Sequence, residues 1–506
     1  MSNKKQINQL WGSAFEKKTR KSVVDFTAGR DVYGFPPADL LLLPYDVWVN
    51  QAHCLMLWKQ KIIEKTDAQA ILQGLAEIEG MAKKNSFVLD PQKEDVHTAI
   101  ESWLTAKYGI EKAGKLHTGR SRNDQSTCDV KMYLRDKAAA FADAGLSFAV
   151  ALVKLAKRYE GYAMPGFTHH QHAMVTTFGH VLLGWAAMVE RDVERFSQWY
   201  ALHNRCPLGG GASYGTSVPI DREFTATLLG FDGPELNSFD GVTNRWEADA
   251  DLAFSIAALM NHLSQIAQTL MVFSTPEFGM VKLSDEYSTG SSMMPQKKNP
   301  DPLEVIKAKA AIAAGSLVSL LGIGKANFFG YNRDSQLGKY VITELIEETL
   351  PALPVLQGAL TTLKVDRARM KEWCGKGFMG ATSLAEQLVS RFGVPFRIAK
   401  IAVEKAVKYS KDAGIVTYPA LTRALKGEKV RIKLSAAQIV QWQTPEGMLA
   451  AAVSFGGPGR KSLAESAKRL AKEMSEAKAT LQDYKQQTVQ ARASLAEEIK
   501  NFIIKT

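Results

Sequence analysis

Five stretches of this chain, near 127–160, 177–202, 247–273, 301–322 and 338–363, repeat apolar residues at three- and four-residue spacing. Several run to 20 residues or more, beyond the usual globular helix. Such a helix must bury its apolar face, and the available partners are others like it. The spacing therefore predicts an all-α protein built on a long-helix bundle. No alternating strand pattern of any length is visible, and no internal repeat or low-complexity segment. The expected division has a mixed helical region at 1–122, the central bundle at 123–371 and a C-terminal helical region at 372–506. The last opens at Trp373-Cys374-Gly375-Lys376-Gly377 and closes in a charged, Ala-rich helix near 460–504. That helix reads as a solvated or partner-packing face without chemistry.

Charge narrows the partners. Sixty-three Lys+Arg against 52 Asp+Glu give a net +11, which would suit nucleic acid. The basic residues are scattered, however, with no block of five or six like charges and no aromatics alternating with Arg or Lys. An anionic small molecule is the expected partner, and nucleic acid is not. The cysteines, Cys54, Cys128, Cys206 and Cys374, are widely spaced without a CxxC, as for reduced buried thiols. The run Met1-Ser2-Asn3-Lys4-Lys5-Gln6 lacks an apolar signal core. The longest weakly polar stretch, 310–324, is too short to span a bilayer. A soluble, cytoplasmic protein with no membrane partner is expected.

The chemistry-bearing residues fall between the helical stretches. Residues 288–300 read Ser-Thr-Gly-Ser-Ser-Met-Met-Pro-Gln-Lys-Lys-Asn-Pro. Small residues suit a mobile loop, and Asn299-Pro300 suits a helix start, with Asn as N-cap and Pro first inside. Hydroxyls, lysines and a helix N-terminus together suit a site where an oxyanion is bound or formed. A second cluster, His117-Thr118-Gly119-Arg120-Ser121-Arg122-Asn123-Asp124-Gln125, offers planar guanidinium forks for a carboxylate. Taken alone it also reads as a polar helix cap. The third, Gly166-Phe167-Thr168-His169-His170-Gln171-His172, invites a zinc reading. No two of its histidines are spaced i, i+4 and no carboxylate accompanies them, so no metal is expected.

The run Gly290-Ser291-Ser292-Met293-Met294-Pro295-Gln296-Lys297-Lys298-Asn299 resembles the Gly-Ser-Ser-x-Met-Pro-x-Lys-x-Asn signature of the fumarase/aspartase superfamily. The other two clusters resemble its argininosuccinate-lyase branch, as do Glu94-Asp95-Val96-His97, Pro207-Leu208-Gly209-Gly210-Gly211-Ala212, Gly215-Thr216, Pro219-Ile220-Asp221-Arg222 and Tyr331-Asn332-Arg333-Asp334-Ser335-Gln336 with Lys339. The resemblance spans about residues 10–455. It implies a carbon–nitrogen lyase that eliminates fumarate from an N-succinyl compound, without a cofactor. Ser291 would be the general base, assisted by Lys297. His169, polarised by Glu304, would act at the leaving nitrogen or a carboxylate. Ser121, Arg122, Asn123, Thr168, Asn299, Tyr331, Gln336 and Lys339 would bind a dicarboxylate-bearing substrate. A homotetramer sharing its sites between subunits is implied too, because the motifs sit at ends of different long helices.

Three departures touch regions that could shape the amine half. Trp11-Gly12-Ser13-Ala14-Phe15 lacks the arginine of the family's Trp-Gly-Gly-Arg-Phe, and His172-Ala173-Met174-Val175-Thr176 and Thr243-Asn244-Arg245-Trp246 also diverge. Argininosuccinate is the expected substrate, and another N-substituted aspartate, such as ethylenediaminedisuccinate, the alternative. A purely structural role, as in lens proteins of this family, fits poorly with retention of Ser291, Lys297, Asn299 and His169.

Overall fold

In the computed structural model, the described residues are Trp11, residues 15–32 and residues 34–504. The readings at residues 1–6 and at Gly12, Ser13 and Ala14 lie outside them. The architecture is the expected all-α bundle. Four of the five periodic stretches are single helices: Arg122–Arg158, Phe178–His203, Arg245–Ser274 and Asp301–Gly324. The fifth divides into Gly338–Thr349 and Ala352–Thr361. Pro351 between them has no N–H to carry a helical ladder across the junction.

Side-chain contacts fix the directions. Trp199 Nε1 donates to Ala248 O at 2.8 Å, joining the end of one long helix to the start of another. Arg245 Nη2 reaches Ser126 Oγ at 3.3 Å, so the Arg122–Arg158 and Arg245–Ser274 helices begin together. Phe273, near the end of the latter, meets Phe167 with ring centroids 6.3 Å apart. Those 28 helical steps separate the two ends of the bundle by about 42 Å. Leu182, Phe196, Ile256, Leu263, Ile306 and Leu345 are among the residues that fill the core between them.

A smaller cluster joins the Ala38–Lys59, Lys65–Lys83 and Val96–Tyr108 helices through Leu55, Ile71, Leu75 and Leu104. Another, with Leu388, Val403, Leu421 and Trp442, lies in the C-terminal region. The final helix, Arg460–Ile504, is 45 residues long and packs rather than standing in solvent. Its Leu470 and Leu481 join the bundle core, its Leu495 and Phe502 join the N-terminal cluster, and Tyr484 stacks on Tyr200 at 3.9 Å.

Two expectations are corrected. Strands do occur: Ala163–Thr168 and Gln171–Thr177 form an antiparallel hairpin. Its alternation is masked because burial changes along the hairpin: Ala163, Met164 and Pro165 are buried in a row where helices pack on it, and the tip is exposed. The stretch 310–324 is part of a 24-residue helix, Asp301–Gly324, which by length and composition alone could cross a membrane, as could Arg122–Arg158. Ile312, Val318 and Leu321 on the former are exposed.

Candidate active site

At one end of the bundle the Arg122–Arg158 helix opens with a capping box. Ser121 Oγ accepts from Asn123 N at 3.3 Å, and Asp124 Oδ1 accepts from Ser121 N at 2.9 Å. The other oxygen of Asp124 accepts from Gly209 N and Gly211 N, both at 2.8 Å. This fully buried carboxylate thus ties the helix start to the glycine loop. Gly211 has φ +62, and a Cβ there would lie 2.7 Å from Gly215 O, so only glycine fits. Burial pushes the Asp124 carboxyl up to about 6, against the lowering effect of the N–H donors and of Arg120.

Arg122 Nη1 has three acceptors: Glu94 Oε2 and Asp95 Oδ2 at 3.3 Å and Thr98 Oγ1 at 3.2 Å. Lys339 pairs with Asp39, whose second oxygen accepts from Val96 N at 3.1 Å. The segment 94–98 therefore brings Arg122 and Lys339 together, although they lie far apart in sequence. Tyr331 and Gln336 follow Gly330, whose N–H donates to Thr243 Oγ1 at 3.2 Å at the same end. Ser121, Arg122, Asn123, Tyr331, Gln336 and Lys339 are thus gathered at one end of the bundle.

Beneath them lies a buried charge group. His97 Nδ1 sits 3.2 Å from Asp46 Oδ2 and 3.5 Å from Asp129 Oδ2. All three ligand-type side chains fall within 4.8 Å of one another. Burial and then the charge of Asp46 raise the Asp129 carboxyl well above the usual range. Asp46 is held below the usual range despite its burial, by His97 first and then by Arg120, whose charge faces Asp129 as well.

The opposite end carries the remaining residues. Thr168 and Gln171 pair across a two-residue turn, in which His169 and His170 have φ 52 and 59. Two positive φ values mark a type I′ turn, usually made by Asn-Gly, and histidine tolerates it at some cost. Thr168 and His169 are exposed at the tip. His172, by contrast, packs on Trp373 and Phe167.

The 288–300 loop is a second small hairpin, with Thr289 paired to Asn299 and Gly290 to Lys298. This corrects the expected helix start. Asn299 is a strand residue, Pro300 is the N-cap and the helix begins at Asp301. Strand pairing holds Asn299 in an extended conformation, so its side chain does not cap the helix. Ser291 Oγ accepts from Met294 N at 3.0 Å and Met293 N at 3.2 Å. Lys298 turns back to Asp285. Lys297 is exposed and pairs with no carboxylate among the described residues. Glu304 is exposed in the first turn of the Asp301–Gly324 helix. Neither it nor His169 makes a side-chain hydrogen bond among the described residues. A cleft of about 620 Å³ lies behind the loop, lined in part by Ser288, Asn299 and Lys298.

The structure thus divides the expected site residues into two groups. Ser121, Arg122, Asn123, Tyr331, Gln336 and Lys339 stand at one end. Thr168, His169, Ser291, Lys297, Asn299 and Glu304 stand at the other, about 42 Å away along one helix. Sequence reading passed over Asp39, Asp46 and Asp129, and gave no role to Asp124 although it stood in the second cluster. The Ser121-x-x-Asp124 spacing is a capping-box signal that could have exposed Asp124. Asp39 carries no local signal, because its partner is Lys339.

Known proteins resemble this chain in sequence and in fold. A model of the lyase family matches residues 27–315. Argininosuccinate lyase of Halorhodospira halophila is 41% identical over 405 residues, covering 80% of this chain and 85% of the relative. That of Streptococcus suis is 37% identical over 482 residues, covering 94% and 99%. Among solved structures, EDDS lyase in complex with formate superposes with a TM-score of 0.86 at 28% identity, covering 96% of each chain. A class II fumarase from Schistosoma mansoni shares the fold, with a TM-score of 0.68 at 15% identity over 86% of this chain and 96% of that one.

Proposed function

Because the chain belongs to the argininosuccinate lyase family, and is a carbon–nitrogen lyase, we propose that it cleaves argininosuccinate reversibly to arginine and fumarate. The observation that carries the substrate is the 41% identity to a relative of that name over 85% of the relative's length. Arginine biosynthesis is the accompanying role. The second reading, an N-substituted aspartate such as ethylenediaminedisuccinate, draws on the TM-score of 0.86 to EDDS lyase and on the departures at 172–176 and 243–246.

Ser291 takes the proton from the carbon next to a substrate carboxylate. The electron pair spreads into that carboxylate, then returns to form the double bond of fumarate as the C–N bond breaks. The leaving nitrogen receives a proton, for which His169 is the candidate, with Glu304 at the same end of the bundle to polarise it once the loop closes. A serine hydroxyl ionises only in a strongly favourable setting. The two N–H groups donating to Ser291 Oγ support this role, since they stabilise an alkoxide more than a hydroxyl. Lys297 adds positive charge nearby. Arg122, Ser121, Asn123, Thr168 and Asn299 receive the dianionic half, where one fixed donor is worth roughly 2.7–4 kcal/mol. Tyr331, Gln336 and Lys339 hold the rest of the substrate.

The active unit is a homotetramer in which one copy's 117–125 and 331–339 segments meet the 166–171 and 288–300 loops of others. The separation of about 42 Å supports this, because one rigid bundle cannot close it. The exposed Ile312, Val318 and Leu321 supply an apolar face for a neighbouring copy rather than for lipid. We keep the three-region division at 122/123 and 371/372. A cytoplasmic location fits the four free, buried cysteines.

The test follows fumarate by its ultraviolet absorbance on adding argininosuccinate, then runs the reverse reaction from fumarate with arginine or with diamines. Addition of arginine is expected. Addition of a diamine with arginine inert overturns the substrate. Failure of every N-succinyl compound overturns the reaction.

A further inference from the structure

We infer that Glu94 is a specificity-determining residue: its carboxylate, which rests on Arg122 in this structure, moves to a positively charged group of the substrate's amine half. This rests on the reaction proposed above and goes beyond it in naming what distinguishes one amine from another.

Glu94 has φ 62 and ψ −49, outside the regions favoured by side-chain-bearing residues, between the Pro91–Lys93 turn and the N-cap Asp95. Strain of this kind costs more than an exposed ion pair returns. The Glu94–Arg122 pair is such a pair, with 65% of the Glu94 side chain and 48% of the Arg122 side chain accessible. The pair therefore does not account for the conformation that makes it. Asp95 and Thr98, which share the same guanidinium nitrogen, are otherwise engaged. Asp95 Oδ1 caps the Val96–Tyr108 helix through Thr98 N at 2.8 Å, and Thr98 lies inside that helix. Glu94 has no second hydrogen-bond partner among the described residues.

All three bonds to Arg122 Nη1 are 3.2–3.3 Å long. Charge-assisted bonds of good geometry run to about 2.7–2.9 Å, often in parallel pairs. A substrate carboxylate presenting two oxygens to the guanidinium displaces such loose contacts. Glu94 is then a free carboxylate beside bound substrate, and Asp95 leaves the rim acidic. An ammonium or guanidinium group replaces the partner Glu94 has lost. An amine half lacking positive charge gains nothing from it.

The test uses the full-length enzyme in the reverse direction, with KM measured separately for fumarate and for arginine. Glu94→Gln keeps the shape and removes the charge. Glu94→Gly removes the charge and relieves the strain, so a folding defect in the first variant does not decide the outcome. In both, the arginine KM should rise about tenfold or more, with the fumarate KM unchanged or lower. An unchanged arginine KM in the two variants, or equal rises in both KM values, overturns the inference. Wild-type enzyme that forms no product from fumarate and any amine condemns the reaction instead, which separates the two failures.

Discussion

The two ends of the bundle are built differently. At the 117–125 end the scaffold is tied down while the guanidinium is held loosely: Asp124 takes three backbone N–H bonds and Lys339 a carboxylate, and Arg122 has three long contacts. At the 288–300 end Ser291 is held only by its own loop, Met293 is 88% exposed, and Thr168, His169 and Lys297 face solvent. A receptor for a dianion gains from a backbone fixed before the charge arrives, because only side chains such as Glu94 then have to move. A base that must stay dry during proton transfer and still admit substrate gains from a loop that closes late. One end is therefore prepared for binding, and the other is left to be completed.

The sharpest way to break that contrast is Ser291→Ala. If the open loop carries the base, turnover falls by about a thousandfold, while fumarate protection of the protein against heat is kept. Near-normal turnover would remove Ser291 from the role. Next in size is complementation. Arg122→Ala and Ser291→Ala, each inactive alone, should regain activity when unfolded and refolded together. With equal mixing, one half times one half leaves about a quarter of shared sites with both residues intact. Persistent inactivity of a mixed oligomer would mean that both ends of each site come from one chain.

How much of this could be read from sequence follows the same divide. The helices were legible because apolar periodicity repeats over many turns, and the motif residues because hydroxyls, amides and cations stood together. The split at Pro351 could have been read, since proline carries its effect locally. The hairpin that presents His169 could not, because its turn is His169-His170 in place of the usual Asn-Gly. Asn299 looked like a cap, yet its pairing with Thr289 overrode the local preference. Asp39 and Asp129 were invisible because their partners come from distant segments, such as Lys339 for Asp39 and Asp46 for Asp129. Local chemistry was readable, and long-range charge pairing was not.

The prepared end can be loosened without touching any residue that contacts substrate. Asp124→Asn replaces one acceptor oxygen by an amide that faces backbone N–H donors, so at least one buried donor loses its partner. The Ser121-Arg122-Asn123 turn should then lose its fixed geometry. We expect the fumarate KM to rise by roughly 10–100-fold with a smaller change in kcat. A fall in kcat alone would place Asp124 with the chemistry at the other end.

The smallest effect expected is with pH. Asp124 titrates at about 6 in the folded chain, whereas a solvated aspartate titrates near 4. Between these values the folded protein binds a proton that the unfolded chain does not. This group's contribution to stability is therefore fully present below about 4 and lost as pH rises through about 6. Activity should move the other way, because a protonated Asp124 can no longer accept all three N–H bonds. At pH 6 kcat/KM should stand at about half its value at pH 8, with thermal stability unchanged or higher. Asp124→Asn should lack that step. A wild-type profile that loses activity and stability together on acidification would assign the decline to general unfolding, and the prepared end would then not be the part that acid disturbs first.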